Sequence, residues 1–265
     1  MTDMISLQIK LACREAGCPL CRLRRDSERR YLFGFLWENV NDGSIRKHLV
    51  QALGFCPDHA WQLQEIEQTR WSDGLGTAIV YEDLTNRALK ALQTYRDTLA
   101  DRRLPLRERL RGWVGGLVDD RGPARHDRAS AQGPADLVPR ATCRACDIGD
   151  DADRRYVAWL VRDCVESADL HQAYQDSDGL CLPHLRQALA EEGDPEAARF
   201  LVDVAIEHAG NLVEDLSEYI RKHIHEYRRE PMSDNERESW IRAVAWFAGE
   251  KRLTDAEATK VKQGR

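Results

Sequence analysis

No run of apolar residues in this 265-residue chain approaches the roughly 18 that a membrane-spanning helix requires, so no span is expected. The first residues, MTDMISLQIKLACREAG, lack the basic flank and long apolar centre of a secretory signal, which makes the cytoplasm the expected compartment. An excess of positive charge is missing as well. With 39 Lys and Arg against 45 Asp and Glu, the net charge of −6 has the wrong sign for coating a phosphate backbone, and nucleic acid is not the expected partner. Glycine and proline are sparse, at 17 and 9, and no segment alternates with the period of a strand. What remains, 42% hydrophobic and 32% charged residues, is the composition of helices with charged outer faces.

Cysteine is not sparse, and its spacing carries the information. Eight cysteines in a reducing compartment point to metal or catalysis more than to disulfides. Cys18-Pro-Leu-Cys21 is followed by Cys56-Pro-Asp-His59, and Cys143-Arg-Ala-Cys146 by Cys181-Leu-Pro-His184. Each member of the second group stands 125 positions after its counterpart in the first. The surrounding sequence keeps the same register. Asp26, Arg29, Arg30, Tyr31, Val40, Gly54, Gln62, Glu67, Glu82, Asn86 and Arg96 recur at that offset. Unrelated sequences would share roughly 4 to 5 residues over about 75 positions, so these eleven identities mark a tandem duplication.

The duplication predicts an all-α protein of two helical halves, each tied by a Cys3His metal site, followed by a C-terminal helix. Residues 1–100 form the first repeat, 101–142 a Gly-, Pro- and Arg-rich linker with a short helix at 106–114, 143–230 the second repeat, and 231–265 the last helix and tail. Within each repeat, a first helix follows the Cys pair, a short helix follows Cys-x-x-His, and a longer one spans 75–99 or 196–228. Pro231 ends the second of these long helices. Ser233 to Glu236 has capping-box spacing ahead of a helix carrying Trp240, Val244 and Phe247.

Zinc accepts four thiolate or imidazole ligands without a geometric preference of its own, so a Cys3His set closes a structural site. The expected sets are Cys18, Cys21, Cys56 and His59 on one ion, and Cys143, Cys146, Cys181 and His184 on a second. A helix of about 20 residues and a returning segment would bring the two pairs of one repeat together, with Gly54 and Gly179 turning the chain toward the ion. The same ligands could instead carry iron-sulfur clusters in a redox protein, with Cys13 available as a replacement ligand. Cys13 and Cys164 otherwise read as buried thiols outside the repeat. A third reading is an enzyme with a cleft between the repeats. It would be lined by Arg29, Arg30, Tyr31, Glu82 and Asn86 and their copies Arg154, Arg155, Tyr156, Glu207 and Asn211. Two closed sites favour two structural zinc ions and a role in binding another protein.

The segments CPLC, RRY, GFCPDHAW and SWIRAVAWFAG resemble a family of uncharacterised bacterial proteins with paired CPxC and GFCxxH motifs, catalogued as a domain of unknown function. The resemblance implies a helical bacterial cytosolic protein and supplies no reaction, substrate or partner. The second repeat departs from the pattern, with CRAC for CPLC and GLCLPH for GFCPDH, while keeping every ligand.

Overall fold

A computed structural model describes residues 4–102, 135–191 and 193–250. These contain ten α-helices and no strand: α1 (Met4–Ala12), α2 (Pro19–Gly34), α3 (Gly43–Ala52), α4 (Pro57–Trp71), α5 (Leu75–Arg102), α6 (Arg144–Glu166), α7 (Ala168–Gln175), α8 (Leu182–Ala190), α9 (Pro195–Lys222) and α10 (Asp234–Ala248). A π-helical turn, Phe35–Asn39, extends α2, and a 3-10 turn covers Ala135–Leu137. The expected short helix at 106–114 lies outside the described residues.

Local chemistry sets many of the helix starts. Asp42 Oδ1 accepts the amides of Ser44 and Ile45, both at 2.9 Å, and Asp194 accepts that of Glu196 at 2.9 Å. The predicted capping box before α10 is present in both directions between Ser233 and Glu236. The buried carboxylate of Glu67 takes the Gly76 and Thr77 amides at 2.5 and 2.8 Å, capping α5 from outside that helix. Its repeat partner, Glu192, is not among the described residues. At the other end of the chain, α9 stops at Lys222 rather than running to Pro231. Lys222 Nζ reaches forward to the Pro231 carbonyl at 2.9 Å and to Glu236, so the turn between α9 and α10 is closed by that ammonium instead of by proline alone.

The chain packs as two compact units whose limits differ from those of the repeats: Met1–Tyr31 with Ala145–Arg265, and Leu32–Arg144. In the first, Ile9, Leu20 and Leu23 pack with Tyr156, Val157 and Leu160 of α6, Leu170 and Tyr174 of α7, and Leu201 and Val204 of α9. At the surface of this unit, α9 and α10 pack as a helical pair. In the second unit Leu32, Phe35, Leu49, Leu63 and Val80 are buried, and Phe35 meets the Phe55 ring edge-on at 5.4 Å. The last residues of the expected linker are tied to α3 by hydrogen bonds from the Arg140 amide to the Gln51 carbonyl, 2.7 Å, and between His48 Nε2 and the Thr142 carbonyl, 3.0 Å.

Candidate metal centres

Each Cys-x-x-His opens a helix in the same way. Cys56 and Cys181 are the N-caps of α4 and α8, a proline occupies the first turn, and the histidine follows one turn from the cysteine. The helix dipole there favours a thiolate. Immediately upstream, Gly54 and Gly179 have φ of 97° and 68°, the left-handed region in which other residues are strained, and this turns the chain into the cysteine as expected.

All eight expected ligands gather into two four-residue groups, but each group takes its pairs from different repeats. Site A consists of Cys18, Cys21, Cys181 and His184, and site B of Cys56, His59, Cys143 and Cys146, with the ligand atoms of each within 4.8 Å of one another. The expected pairing of Cys18 and Cys21 with Cys56 and His59, and of Cys143 and Cys146 with Cys181 and His184, is therefore corrected to a reciprocal exchange. The returning helices are shorter than the outgoing ones. From Cys21 to the end of the π turn the helix runs out about 27 Å, whereas α3 returns only about 15 Å. The three residues before Cys56 include two in the left-handed conformation, Leu53 and Gly54, so they cannot supply the rest by extending. In the second repeat, α6 runs about 30 Å beyond Cys146 and α7 returns about 12 Å.

In site A the His184 Nδ1 lies 3.2 Å from Cys181 Sγ, 3.4 Å from Cys21 Sγ and 3.5 Å from Cys18 Sγ, and the Cys21 and Cys181 sulfurs are 3.6 Å apart. In site B the His59 Nδ1 is 3.1 Å from Cys56 Sγ and 3.6 Å from Cys143 Sγ. A tetrahedral ion with bonds of about 2.3 Å to sulfur and 2.0 to 2.1 Å to nitrogen separates its ligand atoms by roughly 3.5 to 3.8 Å. The donor sets fit such an ion.

Site A is supported from behind. The second ring nitrogen of His184, Nε2, faces Asp153 Oδ1 at 3.2 Å, and the other oxygen of Asp153 is paired with Arg24. Arg24 also holds Glu28 at 2.9 Å and Asp150 at 2.8 Å. A carboxylate on the far nitrogen of a ligating histidine fixes which nitrogen meets the metal. Burial alone would pull the His184 pKa down, but the Asp153 hydrogen bond and the Cys181 and Cys21 sulfurs outweigh it and lift it to about 11. Hydrogen bonds from Cys18 and Cys181 push the Cys21 thiol far down, while burial pushes Cys18 up. The main-chain amide of Glu250 also donates to Cys21, and Gly249, with φ of 81°, leaves only 3.6 Å between that sulfur and the place a Cβ would occupy. Beside site B stands Tyr81, its phenol pushed up by burial and by the sulfurs of Cys143 and Cys56.

Sequence reasoning missed Asp153, Arg24 and Glu250. The signal for Asp153 was an acidic residue at the matching place in the other repeat, Glu28, hidden from a count of identities. Cys13 and Cys164 join neither group, and burial raises both thiols to about 11. Of the possible cleft residues, Glu82 and Asn86 on α5 and Glu207 and Asn211 on α9 are exposed. Arg30 bonds Ser27 at 3.3 Å, Arg154 pairs with Asp151 one turn earlier, Arg155 lies 5.3 Å from the Tyr156 ring centre, and the Tyr156 hydroxyl donates to Gln8 at 2.8 Å. Arg29 is half-buried on α2 and Tyr31 half-buried two residues later.

The two repeated ligand sets occupy most of the length that the comparison with known proteins covers. Residues 4–254 match DUF6062, a family of unknown function. The chain belongs to DUF6062. Within the curated proteins, this DUF6062 chain is similar to an uncharacterised 23.9 kDa protein encoded in the xynA 3' region of Caldicellulosiruptor sp. (strain Rt8B.4), with 22% identity over 236 residues, 89% of this chain and 97% of that one. No solved structure matches. The DUF6062 chain also has no helix, among the described residues, long and apolar enough to cross a membrane.

Proposed function

We propose that this protein is a cytoplasmic zinc protein in which two closed Cys3His sites are structural and the work is done by binding another protein. The observation that carries the zinc reading is the span of each donor set, four ligand atoms within 4.8 Å, which is the size of one tetrahedron around one ion. An iron-sulfur cluster distributes its ligands over separate iron atoms and so holds them farther apart. With every position filled by protein, no vacancy is left for a substrate on the metal.

The partner reading rests on α10. Its outward side presents Trp240, Ile241, Val244 and Phe247, each half or more exposed, while the residue it buries is Ser239. A contiguous apolar strip on a helix that keeps a serine inward is a surface for another protein's apolar face.

The test is metal and sulfide content with an absorption spectrum, on protein purified without oxygen and without added metal. Two zinc ions per chain and no colour are the expected result. Iron, acid-labile sulfide and a visible band would overturn the zinc reading.

A further inference from the structure

Helix α9 is apolar on two opposite sides. One side buries Leu201, Ala205 and Leu212, and beside them Asp215 and Lys222 pair with Arg242 and Glu236 of α10. At about 100° per residue, Ile206, Gly210, Val213, Ser217 and Ile220 fall on the reverse side, within an arc of about 80°. Ile206, Val213 and Ile220 are 64%, 61% and 65% exposed, and Gly210 and Ser217 are exposed with them. No charged residue lies in that arc between Ile206 and Ile220, and Ile224, half exposed, follows at the same spacing just past the helix end.

The row steps by four and three residues in turn, the heptad spacing of a helix that packs along another helix. Gly210 adds an independent sign. Glycine inside a helix is less favourable than alanine because it gives up the most backbone freedom. A Cβ at Gly210 would meet no atom within 4 Å among the described residues, so its neighbours there do not require the missing side chain. Its copy in the first repeat is Thr85, so the duplicated pattern does not require it either. A helix pressed against this side of α9 from outside does.

We propose that α9 pairs antiparallel with α9 of a second copy of this chain. Ile220 of one copy then covers Gly210 of the other, and Val213 lies against Ser217, so each layer sets a large residue on a small one. A parallel pair in register would stack glycine on glycine and serine on serine and leave voids. Charge selects the same direction. Glu207, Glu214 and Arg221 recur every seven residues along one edge of the row, and Arg228 continues the series in the turn beyond the helix. The two carboxylates have no ion pair among the described residues, while Arg221 already holds Glu218 and Glu230 of its own chain. Antiparallel copies bring the acidic half of this edge to the basic half of the other copy, whereas parallel copies set it against Ala209 and Leu216. Two helices meeting over about 21 Å make a small interface, so the dimer is a weak one, with a dissociation constant in the micromolar range. The pairing uses neither the α10 strip nor the metal sites.

The experiment is sedimentation velocity of the full-length, metal-loaded chain from about 1 to about 200 μM. The mass should rise with concentration from the 30.3 kDa of one chain toward twice that value. Gly210→Gln has room within the chain and improves the helix, so it should melt no lower than the parent, yet it blocks Ile220 and should abolish the rise. Glu207→Lys combined with Glu214→Lys should weaken association about tenfold. A single 30.3 kDa species at every concentration overturns the proposal. So does a dimer that Gly210→Gln leaves intact, because its contact lies elsewhere, and so does one that the two charge changes leave intact, because its helices do not run antiparallel.

Discussion

Asp153 touches no metal ligand atom directly, yet it decides which nitrogen of His184 faces the sulfurs. Replacing it with asparagine should lower the metal affinity of site A by about 10- to 100-fold and leave site B unchanged, read as two separated phases in a competition with a chromophoric chelator. A single unshifted phase would show that His184 is oriented by its neighbours in α8 instead. The same residue has a protonation consequence. A ligating imidazole must be neutral and a ligating sulfur ionised, whereas in the metal-free chain His184 keeps its proton up to about pH 11 and burial keeps that of Cys18. Metal uptake near pH 7 should therefore acidify a weakly buffered solution, and affinity should fall as pH falls. Uptake without proton release would mean that these groups are already deprotonated. The eight ligands themselves were readable from spacing, because chance rarely sets two Cys-x-x-Cys and two Cys-x-x-His pairs at one common offset. Asp153 was not, since a second-layer carboxylate tolerates exchange with glutamate and leaves no identity to count.

Among the elements, α5 depends on a residue that belongs to α4. Glu67 supplies the acceptor for two amides at the start of α5, a place where four amides lack helical partners. Glu67→Ala should cost about 1–3 kcal/mol, measured as a lower urea midpoint of the metal-loaded chain with both ions retained. An unchanged midpoint would show that water caps the helix equally well. The helices after each motif and the capping box of α10 were legible because they rest on local period and on side chains within a turn. The short returning helices α3 and α7 were not. Their lengths are set by Asp42 and Ser167 at their starts and by the left-handed Leu53 and the Asp176 turn at their ends. Residues of that kind determine where a helix begins and stops, not which face it buries, and periodicity does not register them.

At the scale of the molecule, each four-residue group joins a Cys or Cys-His pair from before residue 100 to one from after residue 140. A chain cut by an engineered protease site within 103–134 should therefore run as one species on gel filtration and keep two metal ions. Two separate fragments, each with one ion, would restore the pairing within repeats. The exchange of ligand pairs also imposes an order on biosynthesis. When the first hundred residues have left the ribosome, they carry half of each site and neither whole one. Site B is complete once Cys146 has emerged and site A only with His184, 163 residues after Cys21. At about 5–20 residues per second that is on the order of 10 to 30 seconds during which the first thiols wait for their partners, so the nascent chain is exposed to oxidants and stray metal for longer than the finished protein's burial of those sulfurs would suggest.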